Sequence, residues 1–249
     1  MRQKSGMWSA LVLGLACLSA CTGADAVVEG DRAERSDLLI APSDFVLAPC
    51  ERPTVMENCI VLAAGGKRVL LGAPAGVGAG KIAGDNIVPD GVILLSLHAT
   101  AIEGLDEVRN RSWASNRRRP LIVAGADGVE QIVASMNEAY ITSDALAYIE
   151  GKRRGGFDKE AIIANAVKPG DIAFDTGDLT VTAFAGGAGQ LALLVNYNEQ
   201  DLLLAGCGAG PEHVAAWPRA DIYVGCEYAS YPVLRTGAWP LTDAVKINQ

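Results

Sequence analysis

The sequence holds two histidines, His98 and His213, and six cysteines, four of which lie beyond the first 21 residues: Cys50, Cys59, Cys207 and Cys226. Imidazoles and thiolates are zinc ligands, and thiols exported to an oxidising compartment pair as disulfides. Other catalytic patterns fail. No Gly-x-Ser-x-Gly nucleophile elbow occurs, and no serine has an obvious histidine base. Gly76-Val77-Gly78-Ala79-Gly80-Lys81 approaches a phosphate loop, but Ile82 follows the lysine where Ser or Thr is needed. Arg117-Arg118-Arg119 and Lys152-Arg153-Arg154 read as solvated basic loops. The sequence places His98 as a hydrogen-bonded interior histidine, and His213 at the start of a short helix, facing solvent. A formal charge of −8 repels phosphate backbones and argues against nucleic acid as a partner.

The N-terminus points to export. Arg2 and Lys4 precede an uncharged apolar run over residues 9–18, too short for a membrane span, which needs about 20 residues. Leu18-Ser19-Ala20-Cys21 then resembles the bacterial lipobox. That resemblance implies cleavage before Cys21 and diacylglycerol on its thiol, a palmitate-type anchor in the cell envelope. Thr22, not aspartate, follows the cysteine and resembles the outer-membrane sorting pattern, facing the periplasm. Removing residues 1–20 takes away two positive charges and no negative one, so the charge moves from −8 to −10. The expected organisation is a signal peptide over 1–20, a lipid-anchored tether over 21–43 and one domain over 44–249, large enough for a substantial core.

The elements that must position any site follow from hydrophobic patterning. Apolar β-branched segments at 45–48, 59–63, 68–71, 91–95 and 121–124 predict strands. Helices are expected at 101–114 and 128–140; in the second, Val129, Ile132, Val133 and Met136 form an amphipathic stripe. A shorter helix is expected at 143–149. Strands recur at 172–176, 179–185, 191–196, 201–205 and 222–224, with a hairpin turn at 198–200. Strands, helices, strands and a helix in that order predict two sheets with helices outside.

Local wording adds a resemblance. Gly65-Gly66-Lys67-Arg68-Val69-Leu70-Leu71 is similar to the second hairpin of the metallo-β-lactamase superfamily. The segment from Val92 through His98 to Leu105 resembles its strand, metal loop and helix. Pro120 to Gly125 and Gly128 to Tyr140 resemble the stretch that follows in the ribonuclease Z and arylsulfatase-like branch. Val181-Thr182-Ala183-Phe184, Leu203 to Cys207 and Ala220 to Val224 resemble its later strands. The resemblance implies an α/β fold, a four-layer αββα sandwich. It also implies a hydrolase that activates water on one or two metal ions, held by a His-x-His-x-Asp-His loop, later histidines and a bridging aspartate.

Carried over position by position, that ligand set is depleted. Ser96 stands for the first histidine, His98 is the second, Thr100 stands for the aspartate and Ala101 for the last histidine. Residues 185–189 hold only Ala and Gly where a later histidine belongs. Cys207 stands for the bridging aspartate, Gly225 or Cys226 for a final histidine, and Gly72 for a supporting acid. The resemblance also implies a further helix, strand and histidine, for which residues 239–249 are too short. Two histidines cannot build the dinuclear site, so a residual cleft of Ser96, His98, Thr100, Cys207 and Cys226 is expected, without cofactor or catalytic residue.

The cysteines leave alternatives open. Cys50 closes the first strand and Cys59 opens the second, so a hairpin could join them. Cys207 and Cys226 each follow a strand of the second sheet and could pair, stay as buried thiols, or join His98 in a mononuclear zinc site. The expected function is a membrane-anchored, non-catalytic domain binding a small molecule or an envelope protein. The alternative is a rebuilt zinc hydrolase acting on an ester, lactone or sulfate ester.

Overall fold

Strand β1 (Val46–Pro49) turns back through β2 (Ile60–Ala64) and β3 (Lys67–Leu71) as an antiparallel meander. Then β4 (Gly91–Ile93), β5 (Leu121–Gly125) and β6 (Ile162–Ala166) continue the sheet in parallel. Parallel neighbours need crossovers. From β4 to β5 the crossover is α1 (Ala99–Ile102) with α2 (Leu105–Ala114), and from β5 to β6 it is α3 (Val129–Ile149). A second sheet is built from β7 (Ile172–Asp175), β8 (Leu179–Gly187), β9 (Gln190–Tyr197), β10 (Gln200–Ala205), α4 (Pro211–Ala216), β11 (Ile222–Gly225) and β12 (Leu234–Gly237), with α4 as a crossover; β13 (Val245–Lys246) returns to the first sheet. The strand orders are β13-β1-β2-β3-β4-β5-β6 and β12-β11-β10-β9-β8-β7. The computed structural model describes residues 40–50, 59–77, 88–153, 157–226, 234–237 and 244–247. All belong to one unit, Asp37–Gln249. Residues 1–20, Cys21 and most of the expected tether lie outside the described residues.

Alternation along the strands creates the layers. Ile60, Leu62, Val69, Leu71 and Ile93 pack inward against Leu179, Val181, Leu193, Val195, Leu202 and Leu204 of the other sheet. Their sequence neighbours Val61, Leu70 and Val92 point outward, under Leu105, Val108, Val129 and Val133 of α2 and α3. On the far side, Leu203 and Ala205 meet Val214 and Trp217 at α4. Period-two burial on two sheets, each covered by helices, gives the expected αββα sandwich.

Three local expectations change. The helix expected at 101–114 is two helices, because the backbone of Pro74 crosses at Gly104, where a Cβ would lie 2.1 Å from the Pro74 carbonyl oxygen. The helices expected at 128–140 and 143–149 are one, α3. Asp144, a poor helix former when solvated, is buried in it because the guanidinium of Arg109 on α2 binds its carboxylate in a bidentate pair. Third, Arg117 is no solvated loop residue. It is 4% exposed, and its guanidinium donates to Ser112 Oγ at 3.0 Å and to the carbonyls of Arg119, Glu160 and Ala161. Burial first, then the like charge of Arg109, pushes it down to about 10.

Candidate functional site

The parallel strands β3 to β6 end on one side of the sandwich, the usual place for a crevice in a sheet of this kind. Beyond β4, Leu94 N–H still donates to Ala124 at 2.8 Å, and the chain then turns at Ser96. Ser96 is 6% exposed, and its Oγ accepts the His98 N–H at 3.2 Å. This turn carries His98 to the rim, immediately before α1 and exposed to solvent. The expectation of an interior histidine is corrected: the N–H bond belongs to its backbone, and a residue heading a helix on the sheet edge has no layer above it.

The facing wall is the β8–β9 hairpin. Leu191 N–H donates to Leu95 at 2.8 Å, a backbone bond between the two sheets. At the hairpin tip Gly187 has φ +77°, and a Cβ there would sit 2.1 Å from the Gly208 carbonyl oxygen. Hairpin and β10–α4 loop therefore interlock at a contact only glycine permits. Trp217 Nε1 donates to the Ala185 carbonyl at 2.8 Å and draws α4 over the same wall.

That closure brings in His213. Expected at the surface, it is half-buried and lines the crevice, where α4 packs on β8. Its Nδ1 lies 3.2 Å from the Gly210 N–H and 3.0 Å from Glu212 Oε1. One nitrogen cannot serve both: a lone pair accepts from the amide, a proton pairs with the carboxylate. The remaining walls are Ala126 and Asp127, where β5 passes into α3, and Val167, Lys168 and Pro169 after β6. The result is a cleft of about 540 Å³, within the range of small-molecule sites. Among the described residues, Lys168 is the cation of its lining, Asp127 the carboxylate, and Gln190 the amide.

Of the residues singled out in the sequence, Ser96 and His98 line this cleft, while Thr100 is exposed on α1 outside the lining. Cys207 and Cys226 lie outside it too, joined to each other with Cα atoms 5.2 Å apart. The register dictates this pair: Ala205 and Gly225 are opposite each other on parallel β10 and β11, so the residues just beyond exit side by side. Cys50 and Cys59 are joined likewise, Cα atoms 5.3 Å apart, beyond the Pro49–Ile60 rung of the β1–β2 hairpin. Asp127, Lys168 and Gln190 escaped the sequence reading, and His213 was read as a solvent-facing residue. A strand-to-helix exit at Asp127 was a usable signal for the first; the others depend on how the two sheets face.

The crystal structure of the metallo-β-lactamase fold protein YhfI from Bacillus subtilis is similar with a TM-score of 0.51 at 12% identity, covering 75% of this chain and 73% of that one. The short form of human tRNase Z is similar with a TM-score of 0.51 at 14% identity, covering 72% and 74%. The chain has the metallo-β-lactamase fold. No protein-family model matches the sequence, and no curated protein matches it. The segment after β4 carries Ser96, His98 and Thr100, the positions at which the family resemblance implies metal ligands. Among the described residues no group of three or more His, Cys, Asp and Glu could hold an ion. In the alternative set of His98, Cys207 and Cys226, both sulfurs are bound to each other, and a disulfide sulfur is not the thiolate that zinc requires.

Proposed function

We propose that this protein is an exported lipoprotein, anchored by lipid on Cys21 in the bacterial envelope, whose metallo-β-lactamase-fold domain binds a small molecule in its cleft without hydrolysing it. The observation that carries the reading is the cleft's own lining. It keeps the volume and the convergent polar groups of a binding site in Ser96, His98, Asp127, Lys168, Gln190 and His213. The positions that should hold a water-activating ion pair carry Ser96, Thr100, Ala101 and a disulfide sulfur instead. The His-rich dinuclear set that the family resemblance implies requires more imidazoles than the two this chain has.

Elemental analysis of the purified protein tests the loss of chemistry. The expected content is below about a tenth of an equivalent of zinc, iron or manganese, far short of a filled site. No turnover of p-nitrophenyl acetate or bis(p-nitrophenyl) phosphate above buffer is expected. Two tightly bound cations with turnover would overturn the reading. Binding is tested with 1-anilinonaphthalene-8-sulfonate, an apolar anion: Lys168→Ala weakens its binding about tenfold, roughly the worth of one charge-assisted hydrogen bond. An unchanged affinity places the dye elsewhere and removes support for the cleft. Mass analysis of envelope-extracted protein reads the anchor; a mature N-terminus at any residue other than a lipid-modified Cys21 rejects it.

A further inference from the structure

The helix α3 starts beside the cleft at Asp127 and ends at the other end of the sandwich, where it carries a face the domain leaves uncovered. Ile141, Ala145, Tyr148 and Ile149 recur at the four-, seven- and eight-residue spacing of one helical face. Ile141 is 57% exposed, Tyr148 46% and Ile149 78%, with Leu146 beside them at 55%. Single exposed apolar side chains are ordinary, but four on the last turns of one helix form a patch.

Cations gather at the same end. The Arg153 guanidinium lies 5.3 Å over the Trp113 ring and ties the chain after α3 to the end of α2. Arg117, through its bonds to Glu160 and Ala161, fixes the segment carrying Arg118 and Arg119 nearby. Arg111, Arg118 and Arg119 are exposed and enter none of the ion pairs among the described residues. The acids beside the patch are Glu138 on α3, three residues before Ile141, and Glu150 just after it, which pairs with Lys152 at 2.6 Å. Asp158 at this end pairs with Lys159 and Glu160 is buried, so in a chain of net charge −8 the exposed Arg111, Arg118 and Arg119 remain outside the ion pairs of the described residues.

We propose that this end of the domain seats on an anionic lipid surface, with the α3 side chains entering the headgroup boundary and the arginines meeting lipid phosphates. An apolar helix face bordered by basic side chains is the chemistry of interfacial binding. A second copy fits less well, because a two-fold contact brings the same arginine-bearing patch of both copies into one interface and gathers like charge there. The seat is independent of lipid on Cys21 and of any ligand in the cleft.

Flotation of the full chain with vesicles tests it. Phosphatidylcholine vesicles read whatever the N-terminal residues contribute, and phosphatidylcholine mixed with phosphatidylglycerol reads the seat. At about 0.1 M salt, partition onto the mixed vesicles is expected to exceed the neutral value at least tenfold, since each cation near an anionic surface multiplies partition roughly fivefold. Arg118→Glu with Arg119→Glu returns partition to the neutral value. Ile141→Glu with Ile149→Glu does the same, with the circular dichroism of the parent. Equal partition of the parent on both vesicles overturns the proposal, as does full partition by either variant. Self-association of the parent that Ile141→Glu with Ile149→Glu abolishes, without lipid preference, assigns the face to a second copy and also overturns it.

Discussion

Arg109 and Asp144 meet between α2 and α3 with side chains only 1% and 6% exposed, and one arm of the bidentate contact measures 3.1 Å from Nη1 to Oδ1. The guanidinium also lies 5.0 Å from the centre of the Tyr140 ring. Removing one partner of a buried pair strands the other charge. Asp144→Ala should therefore destabilise the domain by about 3–5 kcal/mol in urea unfolding, whereas Arg109→Met with Asp144→Leu recovers most of that loss. Equal loss in the single and double variants would show that the pair is not the source.

Glu160 gives a pH-dependent counterpart. It is 8% exposed, and among the described residues its Oε2 has no hydrogen-bond partner. Burial, the leading cause, raises its carboxyl above the ordinary 4.5; Asp144 adds to the rise and Arg109 opposes it. Between that value and the raised one the native chain holds a proton the unfolded chain has lost, so stability falls as pH climbs through this window. Glu160→Gln should be more stable than the parent at pH 8 and indistinguishable from it at pH 4. A parent more stable than the variant at pH 8 reverses the sign and rejects the account.

The two disulfides make a chemical prediction. Thiol alkylation of the native protein should leave Cys50, Cys59, Cys207 and Cys226 unlabelled and reach all four after reduction. The Cys207–Cys226 link closes a sequence separation of 19 residues. Its removal as Cys207→Ser with Cys226→Ser should lower unfolding stability by about 3 kcal/mol. Native labelling of all four thiols would refute both links.

Gly104 separates α1 from α2 under the Pro74 backbone. A methyl group has no room there: besides the carbonyl oxygen, Val77 Cγ1 would lie 2.9 Å from it. Gly104→Ala should cost about 1–3 kcal/mol, the usual penalty of overpacking. An unchanged melting temperature would show that the Pro74 segment yields freely.

Much of this sandwich was legible because its strands are short apolar runs between turn residues. The β9–β10 hairpin was visible at Asn198 and Glu199, and both adopt the positive φ such a turn demands. Strand β6 was missed: Ile-Ile-Ala-Asn-Ala lacks a clear alternation, and its place is fixed by Asn137 on α3, whose amide bonds both the N–H and the carbonyl of Ile162. The continuity of α3 was hidden for a related reason, since a partner 35 residues away makes Asp144 acceptable inside a helix. In the cleft, Ser96 and His98 could be found because they follow a strand directly. His213 could not, because its place depends on long-range contacts that lay α4 over β8, among them the Trp217–Ala185 bond and the packing of Val214 on Leu203 and Ala205.

The 21-residue length of α3 sets a separation as well as a shape. At 1.5 Å per residue its two ends stand about 30 Å apart, while mobile ions damp a field within about 8 Å at physiological ionic strength. Exposed charge that gathers near Ile149 is thus largely screened at Asp127, beside the other end of the same helix.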